Sequence, residues 1–205
     1  LRVVIATSNI GKVKEIEKFL KEFEVIPYTD IIEPFEIEEN KTTFKENAIV
    51  KAQAVFDVIS KNGNPEIVIA DDSGISVEAL NWEPNIYSAR YAGESATSED
   101  NLNKLINELK RLNISSSKAF YTAAIAIVDK NGNIWTTHGW MHGKVIPKRV
   151  GDGGFGYDPI FIPDSETETL GVLPPYIKEK YSHRIKALKL AKIIIKKLVQ
   201  EERDV

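Results

Sequence analysis

Asp71 and Asp72 follow the short apolar run from Glu66 to Ala70, and Glu36, Glu38 and Glu39 stand in an acidic stretch upstream. Carboxylates converging from separate segments suit a hard, oxygen-seeking cation such as Mg²⁺, above all when substrate phosphates supply its other ligands. The acidic stretch has the alternative of being a solvated loop. A double aspartate directly after an apolar strand is harder to leave in solvent. A second group, Thr7-Ser8-Asn9-Ile10-Gly11-Lys12, falls between a strand and a helix, where free backbone N–H groups at the positive helix end and the Lys12 charge could cradle phosphate. Taken alone, an ordinary strand-to-helix turn is the simpler reading. It is not a Walker A loop, because Ala6 stands where that motif needs glycine and Val13 where it needs Ser or Thr.

The third group is Gly151-Asp-Gly-Gly-Phe-Gly156, which formally satisfies G-x-G-x-x-G. Tyr157-Asp158-Pro159 follows where a dinucleotide-binding helix would have to begin, so that reading fails. A glycine loop carrying Phe155, Tyr157 and Asp158 could let a planar base approach the backbone, stack on a ring and meet a carboxylate. A tight structural turn is the other reading. Ser182-His183-Arg184 opens the last helix; no G-x-S-x-G elbow accompanies it, so helix capping plus ligand contact is preferred to a Ser/His/Asp triad. His138 and His142 lie in a strand-like segment around Trp140 with no third ligand, which disfavours zinc.

These groups need elements to hold them. Arg2 to Thr7 reads as a strand, and Val13, Ile16, Leu20 and Phe23 have helical spacing. Thr43 and Glu46 form a capping-box pattern, with Glu46 reaching back, ahead of a helix with Ala48, Ala52, Val55, Phe56 and Ile59 on its apolar face. Asn62-Gly63-Asn64-Pro65 ends it. The apolar run 66–70 reads as a buried strand opening onto a polar turn at Asp71-Asp72-Ser73-Gly74. Ser98 is expected to cap a helix with Leu102, Leu105, Ile106, Leu109 and Leu112 inward. Strands 118–129 and 134–145 flank Asn131-Gly132, a hairpin signal. A short strand is expected at 160–162 and a final helix at 182–199, with Ile185, Leu188, Ala191, Ile195 and Leu198 inward.

The whole chain of 205 residues carries 27 Lys+Arg against 30 Asp+Glu, a formal charge of −3, and 42% hydrophobic residues. That is a globular composition, and its mildly acidic balance argues against a dedicated nucleic-acid binder. The absence of cysteine excludes disulfides, thiolate metal sites and cysteine nucleophiles. The longest mostly apolar run, Ala119 to Val128, is interrupted by Tyr121 and Thr122 and is too short for a membrane span. The first residues show no signal-peptide pattern. A single α/β domain over 1–205 with a mixed sheet, in the cytoplasm, is expected.

In order along the chain stand Thr7 to Lys12 with Glu15, Glu39 with Thr43-Phe44-Lys-Glu-Asn-Ala48 and Lys51-Ala52, and Ala70-Asp-Asp-Ser-Gly74. Tyr87 to Gly93, Gly154-Phe-Gly-Tyr-Asp-Pro159 and Ser182-His-Arg184 follow. Together these resemble the inosine/xanthosine triphosphate pyrophosphatase family, over nearly the whole chain. The resemblance implies an α/β fold with a long mixed sheet flanked by helices, two lobes with a central active-site cleft, and a homodimer. It implies hydrolysis of non-standard purine nucleoside triphosphates (ITP, dITP, XTP) to the monophosphate and pyrophosphate. Thr7, Ser8, Asn9, Ile10, Gly11 and Lys12 would form the triphosphate cradle, with Lys51 a further cation. Glu39 and Asp72 would hold Mg²⁺, Asp72 also taking the proton from the attacking water. Ser73 would touch substrate, Phe155, Gly156, Tyr157 and Asp158 would form the base loop, and Lys178, His183 and Arg184 would close over the purine. The chain departs from the family at Lys41, where glycine is usual, at Asn85, where Pro-Gly is usual, and at Val172, where glutamate is expected. Alternatives are a pyrophosphatase for modified pyrimidine or other unusual nucleotides and a nucleotide-binding sensor without turnover.

Overall fold

The computed structural model describes residues 2–7, 9–63 and 66–203, the side chains of 201–203 excepted. Ser8, Asn64 and Pro65, on which parts of the loop expectations rest, lie outside them. Among the described residues six strands pair in the order β2-β1-β3-β4-β5-β6. These are β1 (Arg2–Ile5), β2 (Glu24–Pro27), β3 (Ile67–Val77), β4 (Ser117–Val128), β5 (Ile134–Val145) and β6 (Phe161–Pro163). The sheet is mixed: β1 runs parallel to β2 and β3, with Val3 opposite Val25 and Ile67, while β5 and β6 are antiparallel, with Lys144 opposite Ile162. Among the described residues five α-helices complete the α/β fold: α1 (Ile10–Phe19), α2 (Phe44–Lys61), α3 (Ser98–Arg111), α4 (Pro175–Tyr181) and α5 (His183–Arg203). Among the described residues no helix is long and apolar enough to cross a membrane.

The chain divides into two compact units, with the divisions falling inside β3, β4, β5 and α5. The first comprises Leu1–Asp72, Ala123–His138 and Lys186–Val205. Its buried residues include Val3 to Ile5, the Ala48, Ala52, Val55 and Ile59 face of α2, and Ala187, Leu188, Ala191 and Ile195 of α5. Apolar residues recurring every third or fourth position give each helix one face to bury. The second comprises Ser73–Thr122 and Gly139–Ile185. Its core joins Ile75 and Val77 of β3, Leu102, Leu105, Ile106 and Leu109 of α3, Tyr121 of β4 and Phe161 of β6.

Several expectations are corrected. The first helix ends at Phe19, so Phe23 lies beyond it. Thr43 does cap α2, accepting from Glu46 N–H at 3.1 Å, but the Glu46 carboxylate accepts from the Thr43 hydroxyl (2.9 Å) instead of reaching the backbone. The residue capping α3 is Thr97, not Ser98; Asp100 completes the box from inside the first turn, and Leu112 is exposed as the C-cap. The largest correction concerns β3, which does not stop at Ala70. It continues through Asp71-Asp72-Ser73-Gly74 because the loop after it satisfies its backbone: Ser88 Oγ accepts from Ile75 N–H at 2.9 Å and Ser76 bridges to Pro84. At Gly74 a Cβ would overlap the Ser88 hydroxyl, so only glycine lets this loop lie against the strand.

Candidate active site

In the first unit, β3 carries two aspartates in succession, and strand alternation turns them to opposite faces. Asp71 is fully buried and pairs with Lys12 Nζ at 2.6 Å. Asp72 pairs through Oδ1 with Lys51 Nζ at 3.0 Å. The same ammonium meets Glu39 Oε2, also at 3.0 Å, so one lysine on α2 draws two carboxylates together. Glu39 is brought inward by its loop, since Asn47 Oδ1, one turn before Lys51, accepts the N–H of Lys41 at 3.0 Å. Glu36 and Glu38 are exposed, as a solvated loop requires.

The electrostatics follow from burial. Burial pulls the Lys51 ammonium down, but Asp72, Glu39 and Asp71 more than reverse this and hold it above its ordinary value. Burial pushes Asp72 above the usual carboxylate range; Lys51 and Lys12 oppose that and Glu39 adds to it. Among the described residues no hydrogen-bond donor reaches the buried Asp72 Oδ2. A buried carboxylate oxygen without a donor, beside a second carboxylate, fits a hard cation with oxygen ligands. Protein groups alone would leave such a cation short of ligands: no group of three or more His, Asp or Glu able to hold a metal occurs among the described residues. Phosphate oxygens and water would have to complete the shell.

The loop before α1 is already hydrogen-bonded. Asn9 Oδ1 accepts from Gly11 N–H (3.0 Å) and Lys12 N–H (3.2 Å), and Thr7 Oγ1 accepts from Asn9 N–H (3.2 Å). Ile10 is exposed. An incoming anion would therefore exchange with the Asn9 carboxamide for two of the helix-end amides.

The second unit gathers a different set. Asp158 Oδ2 accepts from Phe155 N–H at 2.9 Å and from Lys178 Nζ, and its Oδ1 accepts from the Tyr121 hydroxyl at 3.3 Å. Gly154, at φ +78°, permits this closure, because a Cβ there would collide with the Asp158 carboxylate. The Phe155 ring is 49% exposed and has Lys178 Nζ 4.2 Å and Arg184 Cζ 5.8 Å from its centroid. Arg184 is itself buried and donates to Ser73 Oγ at 2.9 Å. His183 stacks on Tyr121. Tyr157 is buried, its hydroxyl donating to the Ser88 carbonyl at 2.7 Å, so it braces the loop from within, and Gly156 follows the exposed Phe155 at φ +59°. Lys178 owes its place to α4, which the sequence reading did not contain.

The structure thus collects Lys12, Glu39, Lys51 and Asp72 in one unit and Ser73, Phe155, Asp158, Lys178, His183 and Arg184 in the other. Sequence reasoning missed Tyr121, Asn47 and the pairing of Asp71 with Lys12. The double aspartate signalled the last, and the tyrosine interrupting an apolar run was the only signal of the first.

Known proteins resemble the chain in sequence and in fold. The chain is 54% identical over 198 residues to a dITP/XTP pyrophosphatase of Nautilia profundicola, covering 97% of this chain and 99% of that one. It is also 54% identical over 200 residues to a dITP/XTP pyrophosphatase of Sulfurimonas denitrificans, covering 97% and 100%. The structure of the Staphylococcus aureus Ham1 protein superposes with a TM-score of 0.83 at 35% identity, covering 96% of this chain and 98% of that one. A family model described as the Ham1 family matches residues 3–193, a span that holds every described residue of both clusters, and the chain belongs to that family.

Proposed function

We propose that this chain hydrolyses non-standard purine nucleoside triphosphates, among them dITP, ITP and XTP, to the nucleoside monophosphate and pyrophosphate. The observation that carries the reading is the Asp72 carboxylate: buried, joined to Glu39 through Lys51, and with one oxygen that no donor among the described residues reaches. Full-length relatives named dITP/XTP pyrophosphatase support the substrate class.

Glu39 and Asp72 would hold Mg²⁺, which when bound neutralises phosphate charge and lowers the pKa of water. The chain's own residues do the rest. Lys12 and Lys51 offset the negative charge that grows on the leaving pyrophosphate. Asp72 orients the water that adds across the α–β phosphoanhydride and accepts its proton as that bond breaks. Thr7, Asn9, Ile10 and Gly11, with Ser8, would line the phosphates. Phe155, Gly156, Tyr157 and Asp158, with Ser73, Lys178, His183 and Arg184, would take the nucleoside end. Lys178 and Arg184 are donors only and suit the 6-keto oxygen of hypoxanthine or xanthine; the 6-amino group of adenine would set hydrogens against hydrogens.

The two units would serve as one functional domain, since the family match runs through both. The proposed active form is a homodimer, acting in the cytoplasm on the free nucleotide pool without nucleic-acid or membrane partners. Light scattering at micromolar concentration giving about twice the chain mass would support the dimer.

A panel of dITP, XTP, ITP, dATP and dGTP with Mg²⁺ tests the activity, with products separated by ion chromatography and mass spectrometry. Monophosphate plus pyrophosphate from the keto purines is the expected result. Diphosphate plus orthophosphate as the main products would overturn it.

A further inference from the structure

The second-unit residues assigned above to the base come from separate segments, and one buried side chain touches two of those segments. Tyr121 of β4 stacks on the His183 imidazole with centroids 4.8 Å apart and planes 11° from parallel. Phe161 meets the same tyrosine ring at 4.8 Å with a 57° tilt. The hydroxyl, at the far end of the ring, donates to Asp158 Oδ1. The other oxygen of that carboxylate is engaged by Phe155 N–H and Lys178, so Tyr121 supplies the hold on Oδ1 that fixes the rotation of the whole group.

Packing does not explain this choice of residue. The neighbours on the same face of β4, Ala119 and Ala123, are small, and a phenylalanine or leucine would fill apolar space without bringing a hydroxyl. A buried hydroxyl is tolerated where it has a partner, and here the partner is a carboxylate. Burial first and the Asp158 charge second push the Tyr121 phenol well above its ordinary pKa, so it remains a donor.

We propose that Tyr121 is a positioning residue for base recognition: its ring sets the plane of the His183 imidazole while its hydroxyl sets the Asp158 carboxylate, so both present one fixed geometry to a purine. The proposal rests on the assignment of these residues to the base in the function proposed above. Polar groups that read a base act through direction, and small displacements of such groups lose much of their effect.

Two variants separate the contacts. Tyr121→Phe keeps the stack and removes the hydrogen bond; Tyr121→Leu removes both. Calorimetric affinities for IMP and AMP report base recognition without chemistry, and kcat and KM for dITP and dATP report it under turnover. In Tyr121→Phe the IMP affinity should weaken by about threefold to tenfold, as expected for one hydrogen bond. AMP should change less, and for dITP the KM should rise more than kcat falls. Tyr121→Leu should lose more of the IMP-to-AMP ratio. An unchanged ratio in both variants, whatever happens to the melting temperature, would assign Tyr121 to packing alone and overturn the proposal. Loss of the ratio in Tyr121→Leu only would overturn the part given to the hydroxyl. Wild-type protein that prefers IMP to AMP but releases no pyrophosphate from dITP would remove the hydrolytic function and leave the role of Tyr121 standing.

Discussion

The two clusters solve opposite electrostatic problems. In the first unit, Lys12, Lys51, Glu39, Asp71 and Asp72 are held by charge against charge, and Asp71 is fully buried. In the second, one carboxylate, Asp158, is surrounded by a hydroxyl, an amide and a lysine, with an exposed aromatic ring beside them. Charge compensation is indifferent to which base a nucleotide carries, because every triphosphate brings the same anion. Directed hydrogen bonds and a ring face discriminate bases and do little for the phosphates. Rate and selectivity are therefore expected to be separable by mutation.

The largest effect should come from Asp72→Asn. Turnover of every triphosphate should fall by roughly 10² to 10⁴-fold, the scale of losing a base or metal ligand, with the dITP-to-dATP ratio unchanged. Steady-state kinetics on both substrates checks it, and a shifted ratio would break the division. Next comes Lys51→Met, which removes the cation bridging Glu39 and Asp72; kcat should drop on the order of 10²-fold for both bases alike. Lys178→Ala should act the other way. If Lys178 reads the base as proposed, kcat/KM for dITP should fall by about tenfold more than for dATP, because the lost donor would face the keto group. Equal losses would move Lys178 to the phosphates or to stability.

The smallest effect concerns stability. The folded-state pKa of Asp72 is raised, burial being the main cause. Its stability contribution is therefore complete below the unfolded-state pKa and lost as pH rises through the folded value. Asparagine cannot ionise, so without Mg²⁺ Asp72→Asn should melt no lower than wild type at neutral pH, with any advantage vanishing in acid. Calorimetry across pH decides it; a variant markedly less stable at neutral pH would show that the Asp72 charge supports the fold.

Much of this was legible in the residues. α2 was readable because Thr43 marks its start and five apolar positions share a face. α3 and the β4–β5 pair were readable from periodicity and from Asn131-Gly132. By contrast, β2 is four residues long and only half-buried, too short for alternation to register. No residue of α4 is buried, so it has no apolar stripe to read; Pro175 at its start was the available sign. In the clusters, Asp72 stood out from its position after an apolar run. Choosing Glu39 over Glu36 and Glu38 rested on resemblance, because the three differ only in which one the fold turns toward Lys51. Tyr121 was hidden because a tyrosine in a strand is ordinary until its hydroxyl is seen to end on Asp158.

Gly74 leaves no room for a side chain. Ser88 Oγ, which holds Ile75 N–H, also donates to the Asn85 carbonyl at 2.6 Å, and the Ser88 carbonyl in turn receives the Tyr157 hydroxyl. Three segments meet where residue 74 has only a hydrogen. A single methyl there would have to displace the loop that anchors Tyr157, and through it the glycine turn carrying Phe155. Sequence drift at this position is thus barred by sterics alone, though no side chain exists there to do anything: part of the information specifying the aromatic cluster is written as an empty volume.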